Sequence, residues 1–130
     1  MAQPKARMTE IIGQYVAVEI DVDGALKLLE ELHEATGKGG EDLNDAIRMI
    51  RNFDAFYEFM RKKFKDYLTP KKNVSEMIKG LVLVDKLKLI KRDDGKYVMI
   101  IFDRSIPRET IEDALKKLGY EYEIESKSVY

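Results

Sequence analysis

At 130 residues the chain has the length of one domain, enough to bury a core without disulfides or a structural metal. Its 45% hydrophobic and 36% charged residues exclude a disordered chain, and the absence of Cys excludes disulfides, thiolate nucleophiles and cysteine-held metals. No apolar run approaches the roughly 18 residues of a membrane span and nothing resembles a secretory h-region, so the sequence reads as soluble and cytoplasmic, with no membrane partner. Charge dominated by Lys and Glu, with two Gln and three Asn, leans toward a thermophilic source.

Residues 1–10 lack periodicity and read as a disordered tail, in which Met8 is a candidate native start. From Tyr15 to Val22, Val16, Val18, Ile20 and Val22 alternate with Ala17, Glu19 and Asp21, the pattern of a half-buried strand. Asp23 is then placed to cap a helix whose stripe is Ala25, Leu28, Leu29, Leu32 and Ala35, and Gly37-Lys38-Gly39-Gly40 ends it. Between Glu41 and Leu68, apolar residues step by three and four through Leu43, Ala46, Ile50, Phe53, Tyr57, Met60, Phe64 and Tyr67, a heptad seam. That stretch is either one long helix or two joined near Asn52-Phe53-Asp54, with Asp54 as an internal cap, and Thr69-Pro70 stops it.

A further helix from Asn73 or Ser75 presents Val74, Met77, Ile78, Leu81 and Val82 on one face. It feeds a hairpin, Lys86–Arg92 and Lys96–Phe102 flanking Asp93-Asp94-Gly95, where the Asp-Gly pair supplies the positive φ of a tight turn. Lys86 and Lys88 alternate with Leu87 and Leu89, but Tyr97–Phe102 is apolar at every position and reads as covered on both faces. Pro107 opens a last helix with stripe Ile111, Ala114, Leu115 and Leu118, closed at Gly119. Tyr120, Tyr122 and Ile124 then alternate with Glu121, Glu123 and Glu125, a half-buried strand fit for a sheet edge.

This order predicts a single α+β domain over 1–130: a ferredoxin-like βαββαβ sheet with an α-helical insertion, 41–85, between the first helix and the second strand. The two flanking helices would cover one face and the inserted helices the other. A winged-helix domain with extra strands is the alternative.

The net charge of −1 is unevenly spread: residues 1–8 carry +2, Thr9–Met60 −8, Arg61–Lys96 +7 and the remainder −2. Such a block is either a polyanion-facing surface or a set of lysines that pair with the acidic segment in the fold.

The piece VSEMIKGLVLVDKLKLIKRDDGKYVMI resembles the last helix and wing of winged-helix nucleic-acid-binding proteins, where a helix leads into Leu-Ile-Lys-Arg, an acidic-Gly turn and an aromatic strand. The likeness covers residues 73–102. It implies Asn73, Ser75, Glu76 and Lys79 on a groove-facing helix, Lys91, Arg92 and Lys96 on a wing, and Lys62, Lys63, Lys65, Lys71 and Lys72 at phosphates. The chain departs from that family in fitting only one helix between Pro70 and Lys86.

Other chemistry is sparse. His33 stands alone without a ligand partner and reads as partly buried, Gly37–Gly40 lacks the P-loop order, and no Ser or Thr sits in a nucleophile elbow. Glu19, Asp21 and Asp23 cluster at a strand end near Glu121, Glu123 and Glu125, an arrangement that reads as a solvated strand face with a metal-dependent phosphodiesterase as the outside case. No catalytic residue, metal or cofactor is expected. The chain reads as a small DNA-binding, regulatory, non-enzymatic protein using the basic block 61–96. The alternative is a homodimeric assembly module joined through Leu43, Ile50, Phe53, Tyr57, Met60 and Phe64 on the 41–68 helix.

Overall fold

A computed structural model describes residues 5–11 and 15–127. In chain order its elements are β1 (Lys5–Ile11), β2 (Tyr15–Asp21), α1 (Val22–Thr36), α2 (Glu41–Arg51), α3 (Phe53–Lys62), α4 (Val74–Ile78), β3 (Val84–Arg92), β4 (Gly95–Phe102), α5 (Arg108–Lys117) and β5 (Glu121–Lys127). The chain is α+β, with a five-stranded sheet in the order β3-β4-β2-β1-β5. Among the described residues only the β1–β5 pair is parallel; β1–β2, β2–β4 and β3–β4 are antiparallel.

The strand order departs from the ferredoxin-like expectation at one place. Residues 5–11, expected in a tail, form β1 and lie between β2 and β5, which the ferredoxin-like order would have made neighbours. The physical reason is an alternation too short to register in the sequence: Ala6 and Met8 are 5% and 0% exposed, whereas Lys5 and Arg7 face outward. Met8 sits opposite Val18 and beside Ile124, so this strand is part of the core.

The helices pack against one face of the sheet only. Register aligns Met8 with Val18, Val18 with Ile100 and Ile100 with Leu87, while Ile20 aligns with Val98 and Val98 with Leu89. Those residues share one face, and they form a single cluster with Leu28, Leu29 and Leu32 of α1, Ala46 and Ile50 of α2, Phe53 and Met60 of α3, and Ile111 and Leu115 of α5. Each fully buried Leu or Ile here contributes about 1.5–3 kcal/mol, so the cluster is the main source of stability. The expectation that helices from 41–85 cover the second face of Tyr97–Phe102 is therefore corrected. Tyr97, Met99 and Ile101 lie on the face opposite the cluster.

Local chemistry sets the helix bounds. Asp21, two residues earlier than expected, caps α1 by accepting from the Gly24 N–H at 3.3 Å, and Asp23 instead pairs with Lys27. The 41–68 seam is two helices: the Asn52 side-chain amide donates to the Arg48 carbonyl at 2.8 Å, a local bond that competes with the helix ladder, and Asn52, not Asp54, occupies the cap of α3. The expected helix does not reach Leu68, whose backbone instead exchanges two hydrogen bonds with Leu87 on the β3 edge. The helix expected from Asn73 ends at Ile78, capped at its start by the Asn73 side chain on Glu76 N–H.

One buried charge ties the helices to the sheet. Asp42, 1% exposed, accepts from the backbone N–H groups of Leu83 and Val84 at 2.9 and 2.8 Å and from that of Gly40 at 3.0 Å. A carboxylate buried without a cation is tolerable when backbone donors surround it in this way. No helix of the described residues is long and apolar enough to cross a membrane.

Candidate nucleic-acid interface

The hairpin turn does not present free cations. Lys91 and Lys96 stand directly opposite each other on β3 and β4, a repulsive placement, and both ammonium groups converge on Asp54 Oδ1 at 3.3 and 2.9 Å. Lys96 and then Lys91 hold the Asp54 carboxyl below its ordinary pKa. The two lysines also lie over aromatic rings of α3, Lys91 at 4.6 Å from the Tyr57 centroid and Lys96 at 5.4 Å from that of Phe53. On the opposite face Arg92 makes a two-pronged pair with Glu19 at 2.6 and 2.8 Å, which raises the guanidinium pKa further. The residues that the winged-helix resemblance assigned to a wing are thus held in ion pairs with Asp54 and Glu19.

One more of the expected phosphate contacts, Lys72, is also committed through its ammonium, whereas Lys71 is held through its backbone N–H and keeps its side chain exposed. Lys72 Nζ donates to the Asp85 carbonyl at 2.8 Å, and the Lys71 N–H donates to Asp45 at 2.9 Å. Burial acts to raise the Asp45 pKa, but the Lys71 N–H and Arg48 outweigh it and hold that carboxyl below its ordinary value. These bonds fasten the segment after α3 to β3 and to α2. Ser75 and Lys79 lie on or just after α4, a helix of five residues that leaves Val74, Met77 and Ile78 exposed.

The seam from Leu43 to Phe64 is not a free interface. Leu43, Ile50, Phe53 and Met60 are 6%, 1%, 6% and 6% exposed, and Tyr57 packs against the same cluster, so the sheet of the chain itself covers the stripe that was expected to receive a second copy. Phe64 is the exception, at 95% exposed.

Phe64 stands out for its backbone as well. Its φ is +51°, and among the described residues no other non-glycine residue has a positive φ. The Lys65 N–H donates to the Met60 carbonyl and the Phe64 N–H to that of Arg61, the paired bonds of a Schellman motif with Phe64 at the left-handed position where Gly is usual. A bulky side chain there costs about 1–2 kcal/mol relative to ordinary helical geometry. Around it Lys62, Lys63 and Lys65 are exposed and make no ion pair among the described residues, whereas Arg61 approaches Glu58 at 3.7 Å. Behind this tip, a groove of about 250 Å³ is lined by Tyr57, Met60, Arg61, Lys65, Lys88 and Lys91, among others. Lys88 leans over the half-exposed Tyr67, 6.0 Å from its centroid.

No family model, curated protein or solved structure matches the chain. The reading of the site rests on its own residues.

Of the ten expected nucleic-acid-binding residues, the fold brings together Lys62, Lys63 and Lys65 and sets Lys72, Lys91, Arg92 and Lys96 apart in internal bonds. The sequence reading passed over Lys88 and Tyr67 as site residues and placed Phe64 in a seam. The available signal was the run Arg61-Lys62-Lys63-Phe64-Lys65, in which an aromatic flanked by cations on both sides is poorly suited to a core.

The acidic candidates are engaged singly. Glu19 pairs with Arg92, Asp21 caps α1 and accepts from the Tyr120 hydroxyl at 2.5 Å, and Asp23 pairs with Lys27 at 3.0 Å. Burial and then Asp21 push the Tyr120 hydroxyl well above its ordinary pKa. β1 separates this group from Glu121, Glu123 and Glu125, and among the described residues no three His, Cys, Asp or Glu are placed to hold a metal ion. His33, expected to be partly buried, is exposed, with Nδ1 2.7 Å from the Lys38 carbonyl.

Proposed function

We propose that the protein binds nucleic acid through the tip of α3, with Phe64 stacking on an unpaired base and Lys62, Lys63 and Lys65 meeting the flanking phosphates. The carrying observation is Phe64, held 95% exposed in a left-handed conformation among three cations that have no ion-pair partner in the described residues. An exposed ring is a sequence-tolerant platform, because every base offers a π-face, and the lysines supply the salt-dependent term. The groove behind the tip, with Arg61, Lys65, Lys88 and Tyr67 around or beside it, extends the same combination of cation and aromatic along the β3 edge. The reading favours single strands and loops over a duplex groove, since α4 is too short to serve as an inserted recognition helix.

Fluorescence anisotropy with labelled single-stranded and duplex oligonucleotides at two salt concentrations tests this. Single strands should bind at low salt and weaken as salt rises, and Phe64→Ala should weaken them roughly tenfold or more. Absence of binding at low salt removes the reading.

A further inference from the structure

The sheet face turned away from the helices carries a pattern of which the nucleic-acid reading uses Lys88 alone. Its rows follow from register. One runs Lys86, Ile101, Ala17, Thr9, Glu125 from the β3 edge to the β5 edge; the next runs Lys88, Met99, Glu19, Arg7, Glu123. Cations therefore stand at the β3 edge and carboxylates at the β5 edge, while the first row has Ile101, Ala17 and Thr9 at its centre and the second places Met99 beside Glu19 and Arg7 beside Glu123. Ala17 and Ile101, already 3% and 8% exposed within the chain, belong to no part of the helix-side cluster, and Met99 and Tyr97 remain partly exposed beside them. β2, the middle strand, divides this face into a basic half and an acidic edge.

We infer that this face is a homodimer interface in which a second copy of the chain stacks sheet on sheet about a two-fold axis parallel to β2. That axis exchanges the two edges, so β3 of one copy lies over β5 of the other and β4 lies over β1. Lys86 then faces Glu125 of the second copy and Lys88 faces its Glu123, each pair occurring twice by symmetry. A two-fold axis perpendicular to the strands would instead set Lys86 and Lys88 against their own copies, a like-charge arrangement, so the charge pattern selects the first. The small Ala17 lies near the axis, where it admits the roughly 10 Å approach of packed sheets. Glu19, also near the axis, is already neutralised by Arg92. Lys88 reaches its partner by leaving the ring of Tyr67, a weak contact at 6.0 Å. Five strands about 4.8 Å apart and about 20 Å long give a face of roughly 500 Å² in plan, which side-chain relief brings toward the roughly 800 Å² per partner of stable dimers.

The test is sedimentation equilibrium of the full chain over a concentration series, with Lys86→Glu, Glu125→Lys and the double variant beside the wild type. The wild type should dimerise, each single reversal should weaken the dimer roughly tenfold or more, and the double reversal should restore it. Thermal unfolding guards against misfolded variants, whose substituted residues lie outside the helix-side core. A monomer at all concentrations overturns the inference. So does a dimer indifferent to both reversals, or one that the double reversal fails to restore. The readout is independent of oligonucleotide binding, and so is its failure.

Discussion

Asp42 offers the sharpest test of how the helices are fixed to the sheet. Its Oδ2 accepts from the buried Leu83 and Val84 N–H groups at 2.9 and 2.8 Å, and its Oδ1 accepts from the part-buried Gly40 N–H at 3.0 Å. Asp42→Ala strands two buried donors at about 1–3 kcal/mol each and one that water can reach, for a loss of about 3–5 kcal/mol. Asp42→Asn behaves differently. Its carbonyl oxygen can take the place of Oδ2 and keep both buried donors, while its NH₂ faces Gly40, so the loss should be about 1–2 kcal/mol. Against the 5–15 kcal/mol stability of ordinary domains, the first change is severe and the second moderate. Urea unfolding followed by circular dichroism measures both, as shifts in midpoint at constant slope. A loss below about 1 kcal/mol for Asp42→Ala would refute the assignment of this carboxylate as the sole acceptor for those donors.

Three further outcomes follow from particular contacts. Met8→Ala, at a fully buried position in β1, should cost about 2–5 kcal/mol in the same assay, whereas a residue in a loose tail would cost nothing measurable. Asp45 and Asp54 are held below their ordinary carboxylate pKa when folded, so the unfolded chain binds more protons in acid. Their stabilisation is therefore complete well above pH 3.8 and is lost as pH falls below it, and Asp54→Asn should flatten part of the acid limb of a stability profile. Phe64→Gly should raise the stability by about 1 kcal/mol, read as a higher unfolding midpoint, because Gly suits the left-handed position, and should at the same time weaken single-strand binding. Stability and binding moving in opposite directions is the signature of a strained functional residue; a parallel loss in both would contradict it.

Much of the fold was legible because local chemistry and tertiary structure agree. Asp93 and Asp94 join Arg92 to its paired partner Gly95 in the expected hairpin, and the stripes of α1 and α5 bury the residues that their spacing picked out, apart from the exposed Ala35 and the half-buried Leu118. β1 was hidden because two buried side chains, Ala6 and Met8, cannot establish a period, and its place depends on β5, more than a hundred residues away in sequence. The seam of α2 and α3 was visible, but an amphipathic stripe has the same spacing whether its own sheet or a second chain covers it. The all-apolar run of β4 likewise gives no indication of what lies on its second face.

The candidate site was less legible than the fold. Composition locates the basic block, yet which lysines remain free depends on pairing with Asp54 and Glu19 from distant segments. The winged-helix resemblance pointed to the hairpin turn, where those pairs form. Lys62, Lys63 and Lys65, which make no ion pair among the described residues, lie instead around the end of α3, where a Schellman motif turns Phe64 outward.

The most direct test of the nucleic-acid reading is the salt dependence of single-strand affinity for the wild type and for the variant carrying Lys62→Ala, Lys63→Ala and Lys65→Ala. Each phosphate contact adds roughly 0.7 to the magnitude of the slope of log K against log salt concentration. The account predicts a slope reduced by about 2 in the variant, with the wild type bound tightly at low salt. Equal slopes for the two proteins would contradict it.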